Sequence, residues 1–222
     1  MKTIILILFI SINLFAQQFK VESVKGTVKV LHGTEESFRP VKVGEYLNGD
    51  DLLLTEENSF VRLRNEESNF ALNSNAALGL DRIKKISIND LLLTLAMEEI
   101  KSVPKREGKS EGRNTAVYGT EISDKALTET TDEIGEKMLN GAKQLAENGF
   151  EESAIIAAKE TYEKHPLTKK IIKKRLYFAG LLENLGLSEE ALDEYNDIKK
   201  YASDKEDISL IDKKIEEIVL KK

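Results

Sequence analysis

The chain has 222 residues, a formal net charge of −6, no cysteine and no tryptophan, and aromatic residues make up 6% of it. The absence of cysteine excludes disulfides, thiolate catalysis and cysteine-ligated metals. The acidic balance argues against a general nucleic-acid binder, which carries a basic stripe, and against electrostatic attachment to anionic membranes. Without tryptophan, an aromatic-lined sugar groove is not expected.

Residues 1–16 have the three parts of a secretory signal peptide. Lys2 supplies the positive start, Ile4 to Phe15 form an apolar run broken by Ser11 and Asn13, and Ala16 offers a small side chain before Gln17. The run is about a dozen residues, short for a bilayer core of about 30 Å. Cleavage before Gln17 is therefore expected, with an uncleaved N-terminal anchor as the alternative. No cysteine follows the run, so lipidation at a bacterial lipobox is excluded. No later segment reads as a membrane span, because the best apolar run, Ile86 to Met97, contains Asn89 and Asp90. The expected location is the periplasm or the outside of the cell.

From Gln17 to about Ile122 the pattern is that of short strands. Phe19, Val21, Val24, Val28 and Val30 fall in short runs punctuated by Gly26 and Gly33. Phe60 to Arg64 and Phe70 to Leu72 alternate, and Leu91, Leu93, Leu95 and Met97 sit two apart. Polar breaks at Asn48-Gly49-Asp50 and Arg64-Asn65-Glu66 complete the picture of an all-β domain. Lys101 to Asn114 reads as an exposed loop within it, with strand-like residues resuming at Thr115-Ala116-Val117.

From Ser123 to Lys222 the period becomes helical. Helices are expected over about 127–147, from Glu151 to His165-Pro166, over about 168–184, from a Ser188 cap to about Ala202, and from a Ser203 or Asp204 cap onward. The last carries an apolar stripe of Ile208, Ile211, Ile215 and Ile218. The expected fold class is α+β in two segregated domains. Residues 17–122 form an all-β unit, a sandwich or a short solenoid-like roll, and residues 123–222 an all-α unit.

The helical half repeats itself. Asn148-Gly149-Phe150 followed by Ala154 matches Leu185-Gly186-Leu187 followed by Ala191. The spacing resembles tetratricopeptide-type helical repeats. On that resemblance Ala142, Ala179, Ala154 and Ala191 take the small positions, Leu145 and Leu182 large apolar ones, Tyr195 an aromatic one, and Pro166 the repeat end. Arg175, Gly141 and Ala158 depart from the pattern. The resemblance implies a partner-binding concave face carrying Glu136, Leu139, Lys143, Lys173, Leu176 and Glu183. So few repeats call for support from the β half, a second copy of the chain or a partner.

The β half contains Val24-Lys25-Gly26-Thr27-Val28, Phe38-Arg39-Pro40-Val41 with Gly44, Gly49-Asp50 with Thr55, and a closing Gly119-Thr120. This succession resembles the FecR domain of bacterial envelopes. In that family the domain is periplasmic and passes a signal from an outer-membrane receptor through a membrane span. This chain lacks an internal span, so only location and protein recognition are implied. Two departures stand out: Phe38 replaces a tryptophan, and Thr55 comes one residue late after Asp50.

The motif search for chemistry is empty. No nucleophile elbow, phosphate-binding loop or zincin motif occurs. His32 and His165 lie in different halves, without an expected partner for metal or base chemistry. Asp50-Asp51 with Asn48 lacks the ligand spacing of a known calcium loop. No cofactor and no catalytic residue is expected. The leading expectation is an exported envelope scaffold that binds other proteins. The alternative is an accessory of FecR-type signalling that lacks its own span.

Overall fold

A computed structural model describes residues 17–33, 35, 37–102 and 131–220. The signal peptide, the loop after Ser102, the strand expected at 115–117, Gly119-Thr120 and the boundary near Ser123 lie outside the described residues. Within them the chain is α+β: two antiparallel sheets come first and a helical region follows.

Eight short strands build the sheets: β1 Gln18–Lys25, β2 Val28–Leu31, β3 Arg39–Pro40, β4 Tyr46–Asn48, β5 Leu52–Thr55, β6 Phe60–Arg64, β7 Asn69–Leu72 and β8 Ala76–Gly79. One sheet has the order β4-β1-β6-β7 and the other β3-β2-β5-β8. Of the two architectures open to the sequence, this is the sandwich. Phe19, Val21, Leu63, Phe70 and Leu72 from the first sheet meet Val28, Val30, Leu53 and Leu78 from the second in one cluster. Strand period two puts each set on one face.

Consecutive strands repeatedly change sheet, and the turns that allow it are specified locally. Gly26 has φ +71, and a Cβ there would lie 2.6 Å from Ser59 Oγ. Only glycine fits both constraints. Ser59 Oγ then accepts the Thr27 N–H at 2.8 Å. The unbroken apolar run of β5 has a separate cause. Leu53 faces the first sheet, while Leu52 and Leu54 pack with Leu31, Ala77 and Ile134 on the opposite face. A strand buried on both faces reads as continuous rather than alternating.

The alternation at Leu91 to Met97 does not make a strand: helix α1 spans Ile88–Ser102. Ser87 and Asp90 start it as a capping box. Ser87 Oγ accepts the Asp90 N–H at 3.1 Å, and Asp90 Oδ2 accepts from the Ser87 N–H and Oγ–H at 3.2 and 2.7 Å. These bonds hold the Asp90 carboxyl below the usual carboxylate range. Leu91 and Leu95, four apart, turn to the core, whereas Leu93 and Met97 are exposed.

The remaining helices are α2 Thr131–Glu147, α3 Glu151–Lys164, α4 Ile172–Asn184, α5 Ser188–Lys199 and α6 Lys205–Val219, with a 3-10 turn at Pro166–Lys170 before α4. The repeated Gly-apolar signature has one geometry in both places. Gly149 (φ +86) and Gly186 (φ +78) end α2 and α4. Phe150 N–H reaches Leu145 O at 3.1 Å, and Leu187 N–H reaches Leu182 O at 2.9 Å. Gly149 and Gly186 N–H each return to the carbonyl three residues back, which completes a Schellman motif twice. Ala142, Ala154, Ala179 and Ala191 are all fully buried between the hairpin helices. Ser188 is the first residue of α5 and not its cap. Leu187 precedes it without a side-chain cap bond, while Asp204 caps α6 by accepting the Glu206 N–H.

The cores of the two halves merge. Strand residues and Leu139, Ala142 and Leu145 of α2 belong to one buried cluster. Strands β7 and β8 each form one edge of their sheets, opposite β4 and β3, and α2 lies against both. Asn148 exchanges bonds with the Ala71 N–H and C=O, each at 3.3 Å. Gln144 accepts the Asn73 N–H at 2.6 Å, and Asn140 donates to Asn75 O at 2.6 Å. These three side chains are four apart on one helix face. Gly141, a departure from the repeat pattern, sits directly on the Ala77 carbonyl.

Candidate functional site

The densest basic stretch of this acidic chain is Lys169-Lys170-Ile171-Ile172-Lys173-Lys174-Arg175, with five cations in seven residues. Three of the five are held by structure. Lys169 pairs with Glu163 at 2.8 Å. Lys174 crosses to α2, reaching Glu136 at 2.9 Å and Asn140 Oδ1 at 2.7 Å. Arg175 points inward and is 2% exposed.

Arg175 organises the helical half. Its Nε and Nη2 donate to Glu194 Oε1 at 2.9 and 2.6 Å, and Nη2 also donates to Asp197 at 2.8 Å. Glu194, itself 4% exposed, also receives Lys159 from α3. The guanidinium lies over the rings of Tyr162 and Tyr201, at 5.2 and 5.4 Å. Burial works against the Arg175 charge, but Glu194 and Asp197 outweigh it and hold the guanidinium above its ordinary value. Burial would raise the Asp197 carboxyl, yet hydrogen bonds from Arg175 and Lys200 keep it below the usual range. The Tyr162 hydroxyl has no hydrogen-bond partner among the described residues, and burial pushes its pKa far up.

The other two cations, Lys170 and Lys173, make no ion pair or side-chain hydrogen bond among the described residues. Both line a cleft of about 580 Å³ between the start of α4 and the α5–α6 connection. Ile171 and Ile172 share that side, and Lys200, Tyr201 and Asp207 stand opposite. Tyr201 is anchored from behind by Arg175. An aromatic wall beside lysines without an ion pair is suited to holding an anionic, partly apolar ligand.

The residues expected on a partner-binding face are distributed as follows. Lys173 lines the cleft. Glu136 is exposed and tied to Lys174, and Lys143 is exposed, pairs with Glu147 at 2.9 Å and covers the Tyr177 ring at 5.6 Å. The bond to Glu147 raises the Lys143 pKa. Leu176 is partly buried against the core. Glu183 accepts the Tyr195 hydroxyl and pairs with Lys214 at 3.2 Å. Leu139 is fully buried in the merged core and is closed to a partner, because it faces α3 and the sandwich rather than solvent. Lys170, Lys200 and Tyr201 were not expected there. The density of the Lys169 to Arg175 run is the signal that could have found the first, and only the fold of the α5–α6 connection brings the other two.

The sandwich contains a second polar constellation, and it corrects the reading of His32 as partnerless. His32 Nδ1 lies 2.6 Å from Asp51 Oδ1, and its Nε2 faces Nε and Nη2 of Arg39, the former at 2.9 Å. Arginine can only donate, so Nε2 accepts and Nδ1 carries the proton. Arg39 continues to Glu45 at 2.9 Å. No ring lone pair remains for a substrate. Asp51, 1% exposed, also accepts the Asn48 N–H at 2.8 Å. Asp51, not Asp50, therefore ties this turn, and Thr55 Oγ1 ties β5 to Asn73 O at 2.6 Å. Both Asp51 oxygens are engaged by protein groups, and among the described residues no group of three His, Asp or Glu side chains is placed to hold a metal. The buried Nδ1 of His165 has no hydrogen-bond partner among the described residues.

No protein-family model matches the chain, and no curated protein or solved structure is significantly similar to it.

Proposed function

We propose that the protein is an exported scaffold of the bacterial envelope that binds other proteins. In this reading residues 17–122 are a FecR-like sandwich, and the following helical hairpins are tetratricopeptide-like repeats. The observation that carries it is the paired Schellman geometry at Gly149 and Gly186, which stacks two equivalent hairpins and leaves a basic cleft open at their edge. The signal-like residues 1–16 support export. The absence of a membrane-length apolar helix among the described residues is compatible with a chain that acts beside the membrane.

The test is cross-linking of a C-terminally tagged full chain in its native cells, followed by mass spectrometry of the envelope fraction. One or two specific envelope proteins should be recovered with a chain that begins at Gln17. Recovery from the cytoplasm with Met1 intact would overturn the reading.

A further inference from the structure

We infer that the cleft between α4 and the α5–α6 connection is the docking site for an acidic, extended segment of a partner protein. The inference rests on the scaffold reading and adds the chemistry of what is bound.

Three of the five cations in the Lys169 to Arg175 run are neutralised by neighbouring carboxylates. Lys170 and Lys173 are not, and both face the same cleft. Lys200 stands across from them, bonded to Asp197 at 3.1 Å through one of its three donors. Two carboxylates also line the cleft, Asp204, which caps α6, and Asp207, so three lysines face two acids. Acidic side chains therefore find complementary charge here, and like-charged basic segments do not.

The apolar part of the site fixes the shape of the ligand. Ile171 and the Tyr201 ring offer a short apolar strip between the cations. Arg175 stacks beneath Tyr201 and holds the ring in place, so it need not be ordered on binding. A segment in extended conformation places alternate side chains on one face. An acid–apolar–acid sequence thus sets its apolar residue toward Tyr201 while its carboxylates reach Lys170 and Lys173.

The test uses the full mature chain and a fluorescein-labelled decapeptide alternating Glu and Leu, with a Lys–Leu counterpart as control. Anisotropy should report salt-sensitive binding of the Glu peptide alone, weakened about tenfold or more in Lys170→Glu/Lys173→Glu. Lys143→Glu should bind as the parent does. Amide resonances of Ile171 to Lys173 and Tyr201 to Asp207 should shift on titration. Lys170 and Lys173 are exposed and unpaired, so the double variant should keep its circular dichroism and melting temperature. Equal binding by parent and double variant, shifts confined to other residues, or binding only to vesicles containing phosphatidylglycerol would overturn the inference. Recovery of partners in cells by the double variant as well as by the parent would remove the cleft while leaving the scaffold reading standing. Recovery of none by either would remove both.

Discussion

Gly141 of α2 packs so tightly on Ala77 of β8 that a Cβ added to the glycine would lie 2.1 Å from the Ala77 carbonyl oxygen. This contact joins the helical half to the sandwich, and it makes opposite predictions for two helical glycines.

Gly141→Ala should destabilise the protein by about 1–3 kcal/mol, because backbone must move to admit the methyl group. Gly180→Ala, in α4 with nothing within 4 Å of the added Cβ, should stabilise it by about 0.5–1 kcal/mol through helix propensity alone. Urea denaturation of the two variants measures both signs. A neutral or stabilising Gly141→Ala would mean that α2 does not seat on β8.

Arg175 and Glu194 are buried as a pair, and each depends on the other. Arg175→Leu should cost about 3–5 kcal/mol by stranding Glu194. The double variant Arg175→Leu/Glu194→Leu should cost clearly less than the sum of the two single changes, because Lys159 can reach solvent. A double-mutant cycle by chemical denaturation reads the coupling directly. Additive losses would contradict the network.

Glu56 connects the halves electrostatically. Its carboxylate takes Lys137 at 2.8 Å and Lys29 at 2.9 Å, and these bonds hold its pKa below the usual 4.5. A carboxyl lowered on folding adds stability that is complete above its unfolded value and is lost as pH falls through the folded one. Stability should therefore drop in the acid range below about pH 4.5. Glu56→Gln should flatten that slope without altering the profile above pH 6. Urea midpoints measured across pH 3 to 7 on both proteins provide the check.

A chain ending at residue 130 lacks α2, and so lacks Leu139, Ala142 and Leu145 of the merged core and the cover over β7 and β8. It should fail to unfold cooperatively and should associate through its bare strand edges. Light scattering and thermal melts of this fragment test the point. A monomeric, cooperatively melting fragment would show that the sandwich stands alone.

Much of this architecture is readable from residue pattern, and the failures have definite physical causes. The Gly149 and Gly186 turns are local signals, and the helices on either side follow them, whereas helix begins at Ile88, ahead of the change of period read near Ser123. Leu91 to Met97 misleads because every second residue is apolar on a helix that is apolar on two sides. The Ser87-x-x-Asp90 box just upstream is the local clue that decides in favour of a helix. Asp50 and Asp51 cannot be told apart in sequence, since His32 and Asn48 select Asp51 from a distance. The burial of Arg175 likewise depends on Glu194, in the next helix. At the cleft, only Lys173 of the six expected residues lines the wall, because Lys200 and Tyr201 arrive from a connection whose path no local pattern encodes.

Along the strand edges, the polar contacts from the helical half address the strands through their main chain. Asn148, Gln144 and Asn140 bond amides and carbonyls of residues 71, 73 and 75, and Gly141 rests on a carbonyl. Mutational tolerance across this seam should therefore be one-sided. The solvent-facing positions of β7 and the turn after it are free to drift without loosening these contacts, while positions 140, 141 and 144 of α2 and position 148 just after it are held to their present residues by main-chain partners.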